Sequence, residues 1–325
     1  MDTFGHNFRL TVFGESHGDR VGVVIDGVPP GMSLSENDFL QDLGRRRSGI
    51  TGSTARVEKD SPEIISGILN GKTTGTPVSI LFANENKRPQ DYANFTIHPR
   101  PSHADLTALT KYKGFNDPRG GGMFSGRMTL CLVAAGVVAK KILPHAVFET
   151  APVEIGGCSD PAEFDKTISA AAAEGDSVGG IIQTTVNGAG PGYGEPFFDS
   201  AESVISHLLF SIPAVKGVEF GAGFASAAKK GSENNDIIID GNGATATNND
   251  GGINGGITNG NPIIVRVAIK PTPSISRPQL TYDFETGLME KLEIKGRHDA
   301  CIVSRASVVV EAAVAIALAD LFSRK

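Results

Sequence analysis

The sequence predicts an α+β fold, a layered arrangement with mostly antiparallel sheets and glycine-rich loops at the functional site. Three observations carry that expectation. Period-two strand patterns and apolar helical runs interleave without the regular strand–helix–strand spacing of a parallel sheet. Glycine accounts for 40 of the 325 residues while aromatics make up 6% and tryptophan is absent, a balance that favours tight turns over a helical bundle. Hydrophobic residues are 40% of the chain, ample for a large core, and no linker divides it, so residues 1–325 read as one domain.

Taken in order, Phe8, Leu10 and Val12 alternate with Arg9 and Thr11 as a strand. After Gly14-Glu15-Ser16-His17-Gly18, the run Val21 to Asp26 reads as a second strand. Ser35 with Asp38 forms a capping-box pattern before Phe39, Leu40 and Leu43, predicting a helix that ends near Arg45-Arg46-Arg47. Val78 to Phe82 is a short apolar strand, and a helix is expected between His103 and Gly114. Thr129 to Leu143, stopped by Pro144, is apolar on nearly every side and predicts a buried helix. Asp160-Pro161 is an N-cap and first-turn pair for a helix ending at Gly175. Gly180 to Val186 predicts a strand, Ala201 to Phe210 a helix, Ile263 to Ile269 a strand alternating around Arg266, and Arg305 to Phe322 a long closing helix. Residues 241–261 are dense in Gly and Asn and read either as a mobile loop or as a loop that orders around a ligand.

Composition excludes several classes. A net charge of -6 argues against a general nucleic-acid surface, so any basic site must be local. Cys131, Cys158 and Cys301 are odd in number and widely spaced, which fits a reducing compartment and no disulfide framework. The N-terminal MDTFGHNFRL lacks the pattern of a signal peptide, and the apolar stretch from Ser307 to Phe322 carries Glu311 and Asp320. The expectation is a soluble, cytoplasmic protein.

Two motifs fail on inspection. Gly14-Glu15-Ser16-His17-Gly18 matches the G-x-S-x-G nucleophile elbow, but that device needs a helix after the turn, and here another strand follows. Gly67-Ile68-Leu69-Asn70-Gly71-Lys72-Thr73 is one residue short of a Walker A loop and reads as a turn. No Rossmann fingerprint and no metal-ligand cluster is evident, since His298-Asp299 with Cys301 lacks a further group at ligand spacing.

Histidines and arginines recur in glycine- or proline-rich loops: GESHGDR, GRRRSG, HPRPSHAD, DPRGGGMFSGR, KPTPSISR and KGRHDACIVSR. A single loop histidine is more often a surface residue. Guanidinium forks and exposed backbone N–H groups repeated in segment after segment instead point to a site for small, heavily anionic, phosphate-bearing molecules. The same segments resemble the chorismate synthase family, in order from Phe8 to Leu321. FGESHG with DGVPPG carries the first part, RPSHAD with RGGG, SGR and the VAAG helix the second, and GGINGGITNG, KPTPSI and KGRHDACIVSRA the third.

The resemblance implies a β-α-β sandwich, a cytoplasmic homotetramer and a lyase of the shikimate pathway. It implies 1,4-anti elimination of phosphate from 5-enolpyruvylshikimate 3-phosphate to give chorismate, dependent on reduced FMN without net redox change. By matching position, His17 serves the flavin near N1, His103 is a general acid at the leaving phosphate, and Asp299, with Ser125, takes the proton near N5. Flavin contacts carried over are Ser125, Ala214, Gly255, Lys270, Thr272, Ser274 and Arg297. Arg46, Arg47, Arg119 and Arg127 would hold substrate phosphate and carboxylates, and Arg46 also matches a family position assigned to the phosphate of NADP. With no added flavin-reductase region evident, external reduction of the flavin is expected. The chain departs from the family where Met123-Phe124 stand for an Arg-Ser pair, and where Ile50-Thr51-Gly52 replaces a basic position after the arginine run.

Overall fold

The computed structural model describes residues 2–47, 49, 51–53, 59–85, 94–294 and 298–323. The first half contains β1 (Thr3–Phe4), β2 (Arg9–Gly14), β3 (Arg20–Asp26) and α1 (Leu40–Arg46). Next come β4 (Glu63–Ser66), the short hairpin β5 (Ile68–Leu69) and β6 (Lys72–Thr73), β7 (Val78–Ala83), α2 (Asp105–Lys111) and α3 (Thr129–Ile142). The second half begins with β8 (Val147–Ile155), α4 (Phe164–Ala173), β9 (Gly180–Asn187), α5 (Ala201–Ser211) and β10 (Val215–Phe220). It ends with the one-turn α6 (Gly231–Asn234), the hairpin β11 (Ile253–Asn254) and β12 (Ile257–Thr258), β13 (Ile263–Ile269), the hairpin β14 (Gln279–Tyr282) and β15 (Met289–Leu292), and α7 (Val303–Phe322).

One sheet has the order β1-β2-β3-β7-β4 and another β10-β13-β9-β8. Every pairing within both is antiparallel. Alternation decides the faces. On β13, Ile263, Val265, Val267 and Ile269 are buried while Arg266 lies on the other face. The helices fill the space between the sheets: α3 packs on β2 and β3 on one side and on α7 on the other, and α7 packs on β8 and β9. The result is the β-α-β layering that the family resemblance implies. Because α3 and α7 are largely enclosed, both are apolar on nearly every side. Gly136 permits their close crossing, since a Cβ there would lie 2.4 Å from the Cβ of Ala312.

The two carboxylates of α7 are buried and fully engaged. Asp320 accepts the backbone N–H groups of His6, Asn7 and Phe8 at 2.8, 2.7 and 3.0 Å and so fixes the start of β2. Burial alone would raise the Glu311 carboxyl, but bonds from Arg45 at 2.7 and 2.8 Å and from Lys140 hold it below its ordinary value. Arg45 thereby ties α1 to α7. Among the described residues, no helix is long and apolar enough to cross a membrane.

β8, β10 and the β14–β15 hairpin are absent from the sequence reading. β8 is an edge strand whose register shifts between Pro152 and Glu154, the one sheet position where proline is tolerated, and this breaks its alternation. The stretch from Gly67 to Thr73 is the tight β5–β6 hairpin with Asn70 and Gly71 both at positive φ, a turn as expected and not a phosphate loop.

Candidate active site

β2 and β3 are joined by the turn that carries Ser16 and His17, so G-x-S-x-G here is a strand–turn–strand connection and not a nucleophile elbow. Both side chains are buried, with Ser16 Oγ 3.2 Å from His17 Nδ1. The triple-glycine loop covers the imidazole. Gly120, Gly121 and Gly122 all have positive φ, and a Cβ on Gly120 would lie 2.1 Å from His17 Nδ1. The Ser16 N–H donates to the Gly122 carbonyl at 3.2 Å, so the two loops form one unit. Ser125 ends the glycine loop and its Oγ accepts the Arg127 N–H at 3.3 Å.

Beneath this unit lies a charged cluster. Asp60 is 4% exposed, held at a positive φ of 48°, and shared by two arginines. Arg127 donates Nη1 to Asp60, Nη2 to the Ala83 carbonyl at 3.2 Å and Nε to Asn84 Oδ1 at 3.0 Å. Arg46 donates Nε to Thr129 Oγ1 at 3.1 Å and Nη2 to the Gly126 carbonyl at 2.8 Å, with Nη1 at 3.5 Å from Asp60. Burial, with the Arg127 and Arg305 charges, lowers the Arg46 guanidinium to about 10. Arg305 continues the chain of contacts, donating Nε to the Arg46 carbonyl at 3.1 Å and Nη1 to both Asp299 oxygens at 3.1 and 3.0 Å. A continuous path of bonded groups therefore runs from His17 to Asp299.

His103 belongs to a second group. Its Nδ1 lies 3.0 Å from the Pro101 carbonyl, which can only accept, so Nδ1 carries the proton. Nε2 is then free to accept the Ser274 hydroxyl at 2.8 Å. Burial, reinforced by the Arg100 charge, pushes the His103 imidazolium down to about 4. Arg100 clamps this loop, pairing bidentately with Asp105 at 2.8 Å on each arm and lying 4.3 Å over the Phe95 ring. Lys270 donates Nζ to the Ser102 carbonyl at 2.8 Å, and its backbone N–H reaches the carbonyl of Ala214, a non-glycine residue at φ 77°. Burial, then the Lys216 charge, lowers the Lys270 ammonium.

Lys270, Thr272, Pro101, Ser102, Ser177 and Gln279 line a cavity of about 280 Å³. The Thr272 Oγ1 is buried and, among the described residues, has no hydrogen-bond partner. A buried hydroxyl without a partner costs about 1–3 kcal/mol, so this lining fits a polar ligand. The two groups meet at the turn before α7, because the Ser177 hydroxyl donates to the Thr272 carbonyl at 2.7 Å while the neighbouring Val178 N–H donates to the Ala300 carbonyl at 2.8 Å.

The family-model comparison matches residues 8–322 to the description "Chorismate synthase". The chain belongs to the chorismate synthase family. It is 55% identical to a chorismate synthase of Chitinophaga pinensis over 98% of this chain and 96% of the relative. It is 46% identical to one of Pyrococcus abyssi, with 98% of each chain covered. A solved structure described as "Crystal Structure of Chorismate Synthase" superposes with a TM-score of 0.75 at 28% identity, covering 98% of this chain and 92% of that one. As a member of this family the chain is an enzyme, a lyase of the shikimate pathway.

The site residues named from the sequence divide by position. His17, Ser125, Arg46, Arg127 and Asp299 lie along the first path, and His103, Ser274, Lys270, Thr272 and Ala214 in the second group. Gly255 stands at the tip of the β11–β12 hairpin with open space where a Cβ would be. Arg297 lies outside the described residues. Of the four substrate arginines, only Arg47 and Arg119 are exposed. Arg46 and Arg127 are buried and their donors go to Asp60, Asn84, Thr129 and backbone carbonyls. The Gly/Asn segment is densely bonded: Asn248 bridges the Gly252 N–H and the Pro262 carbonyl at 2.8 Å each, and Asp236 accepts the N–H groups of Asn249 and Asp250. Asp60 and Asn84 are positioning groups that carried no signal of their own, because Asp60 pairs with Arg46 and Arg127, 14 and 67 residues away, and Asn84 with Arg127, 43 residues away, and with backbone carbonyls.

Proposed function

We propose that this chain eliminates phosphate from 5-enolpyruvylshikimate 3-phosphate to give chorismate, by a 1,4-anti elimination that depends on reduced FMN. The observation that carries the reading is His103, whose Nδ1–H is held by a carbonyl so that Nε2 faces Ser274 beside the cavity of Lys270 and Thr272. In this reading the C–O bond to phosphate and a C–H bond across the ring break as a new C=C bond forms. Bound among these residues, reduced FMN would supply electron density that favours departure of the phosphate.

The chain's own residues do the rest. Protonated at Nε2, His103 delivers a proton to the leaving phosphate. His17, enclosed by the glycine loop and hydrogen-bonded to Ser16, holds the proton near flavin N1. Asp299, with Ser125, would receive the proton near N5, and Arg305 holds the Asp299 carboxylate in place. Lys270, Thr272, Ser274, Ala214, Gly255 and Arg297 hold the flavin. Exposed Arg47 and Arg119 meet the substrate's anions, while buried Arg46 and Arg127 share the single carboxylate Asp60 and leave a surplus positive charge below the site. Residues 1–325 act as one domain, working in the cytoplasm on externally reduced flavin. The assembly in this reading is a homotetramer, and the exposed Phe197, Phe198, Phe224, Ile237, Ile238 and Ile239 are apolar side chains that a subunit interface would cover.

His103→Ala tests the assignment. Turnover falls by roughly 10²–10⁴-fold, the range for a lost general acid, while FMN affinity changes little. Lost flavin binding with normal turnover of the bound fraction would contradict the role given to His103.

A further inference from the structure

We propose that Asn84 is a positioning residue for the reaction, the link through which the buried Asp60–Arg127 pair fixes the turn that carries His17; the proposal rests on the role given to His17 above. Asn84 follows β7 and is 5% exposed. Its Nδ2 group donates to the Glu15 carbonyl and to the Gly18 carbonyl, each at 3.0 Å. Those two carbonyls flank Ser16 and His17, so one amide closes the turn from both sides. Its Oδ1 accepts Arg127 Nε at 3.0 Å, and its backbone N–H donates to the Asp19 carbonyl at 3.1 Å.

Only an amide satisfies this arrangement, because two carbonyls need donors while a guanidinium needs an acceptor on the same short side chain. Aspartate would keep the guanidinium contact and lose both donors. Alanine would lose all three bonds, leaving the Gly18 carbonyl without the Asn84 donor and the Glu15 carbonyl with the Gly18 N–H. The Gly120 backbone lies directly against the imidazole, where a Cβ would fall 2.1 Å from Nδ1. His17 is thus clamped between a glycine wall and a turn whose shape is set by Asn84, and Asn84 is in turn oriented by Arg127 anchored on Asp60.

The test is a double-mutant cycle in the full-length enzyme with saturating reduced FMN and substrate. Asn84→Ala alone lowers kcat by about 10²-fold, the scale of a misplaced catalytic group, with KM little changed. In a His17→Ala background the same substitution costs almost nothing further, because there is no imidazole left to position. Losses that multiply across the two sites overturn the proposal. Asn84→Asp, equal in size, gives the same cycle if the alanine variant does not accumulate folded. A second readout needs no turnover: the Cε1–H resonance of His17, assigned by its loss in His17→Ala, shifts in Asn84→Asp while that of His103 does not. An unmoved His17 resonance also overturns the proposal. If His17→Ala itself turns over normally, the role given to His17 fails, and the resonance alone decides whether Asn84 sets its position.

Discussion

His103 carries the most exposed quantitative consequence of the structure. Burial, with the charges of Arg100 and Lys270, lowers its imidazolium from 6.5 to about 4, which favours the neutral ring at pH 7 in the free protein. A general acid must hold that proton. An oxyanion about 4 Å away supplies about 4 kcal/mol per unit charge at an effective dielectric of 20, equivalent to about three pKa units, which brings His103 back to about 7. On the role proposed for His103, the free enzyme is therefore unarmed and the anionic substrate arms it. The perturbation is pH, followed by the His103 Cε1–H resonance without ligand and then with saturating inorganic phosphate. The expected midpoint is near 4 without the anion, and it rises by at least about 1 unit with phosphate bound. Stability provides a second check. The folded value lies below the unfolded one, so the unfolded chain binds more protons between pH 4 and 6.5. This contribution to stability is complete above about 6.5 and falls by on the order of 3 kcal/mol as the pH drops to about 4. A midpoint near 6.5 in the free protein, or one that phosphate does not move, would refute the reasoning.

Gly120→Ala places a methyl 2.1 Å from His17 Nδ1 at a residue with φ 60°, so the glycine loop must open. Turnover is expected to fall by about 10²-fold or more, and turnover near wild type would mean that the loop does not confine His17. Asp299→Asn keeps the size of the side chain and removes the charge that pairs with Arg305. FMN and substrate titrations are expected to change little while kcat falls by at least ~10²-fold, whereas near-normal kcat would make Asp299 a structural partner of Arg305 alone.

The layers and most central elements were legible because their signals are local. The period-two run of β13, the all-round apolar character of α3 and the Asp160 cap each follow from neighbouring residues, and the cap bond to the Ala162 N–H at 3.0 Å is present. β8 was illegible because an edge strand interrupted by Pro152 loses its alternation. The site divided along similar lines. His17 and His103 stand in unusual loops and could be named from the sequence. Asp60 and Asn84 owe their importance to a guanidinium from Arg127, 67 and 43 residues away, and no local pattern encodes that meeting. The arginine run shows the limit most clearly. Its three members look alike in the sequence, yet Arg45 braces α7, Arg46 is buried over Asp60 and Arg47 remains exposed. Those different environments arise because the run spans the end of α1, where successive side chains point about 100° apart.

The central claim is that two histidines and a carboxylate, set in glycine- or proline-rich loops, perform a phosphate elimination that requires a reduced flavin. Phosphate release from 5-enolpyruvylshikimate 3-phosphate, measured anaerobically with no flavin, with oxidised FMN and with FMN kept reduced, tests it most directly. The account predicts phosphate and chorismate in equal amounts only with reduced FMN. Equal rates in all three conditions would contradict it.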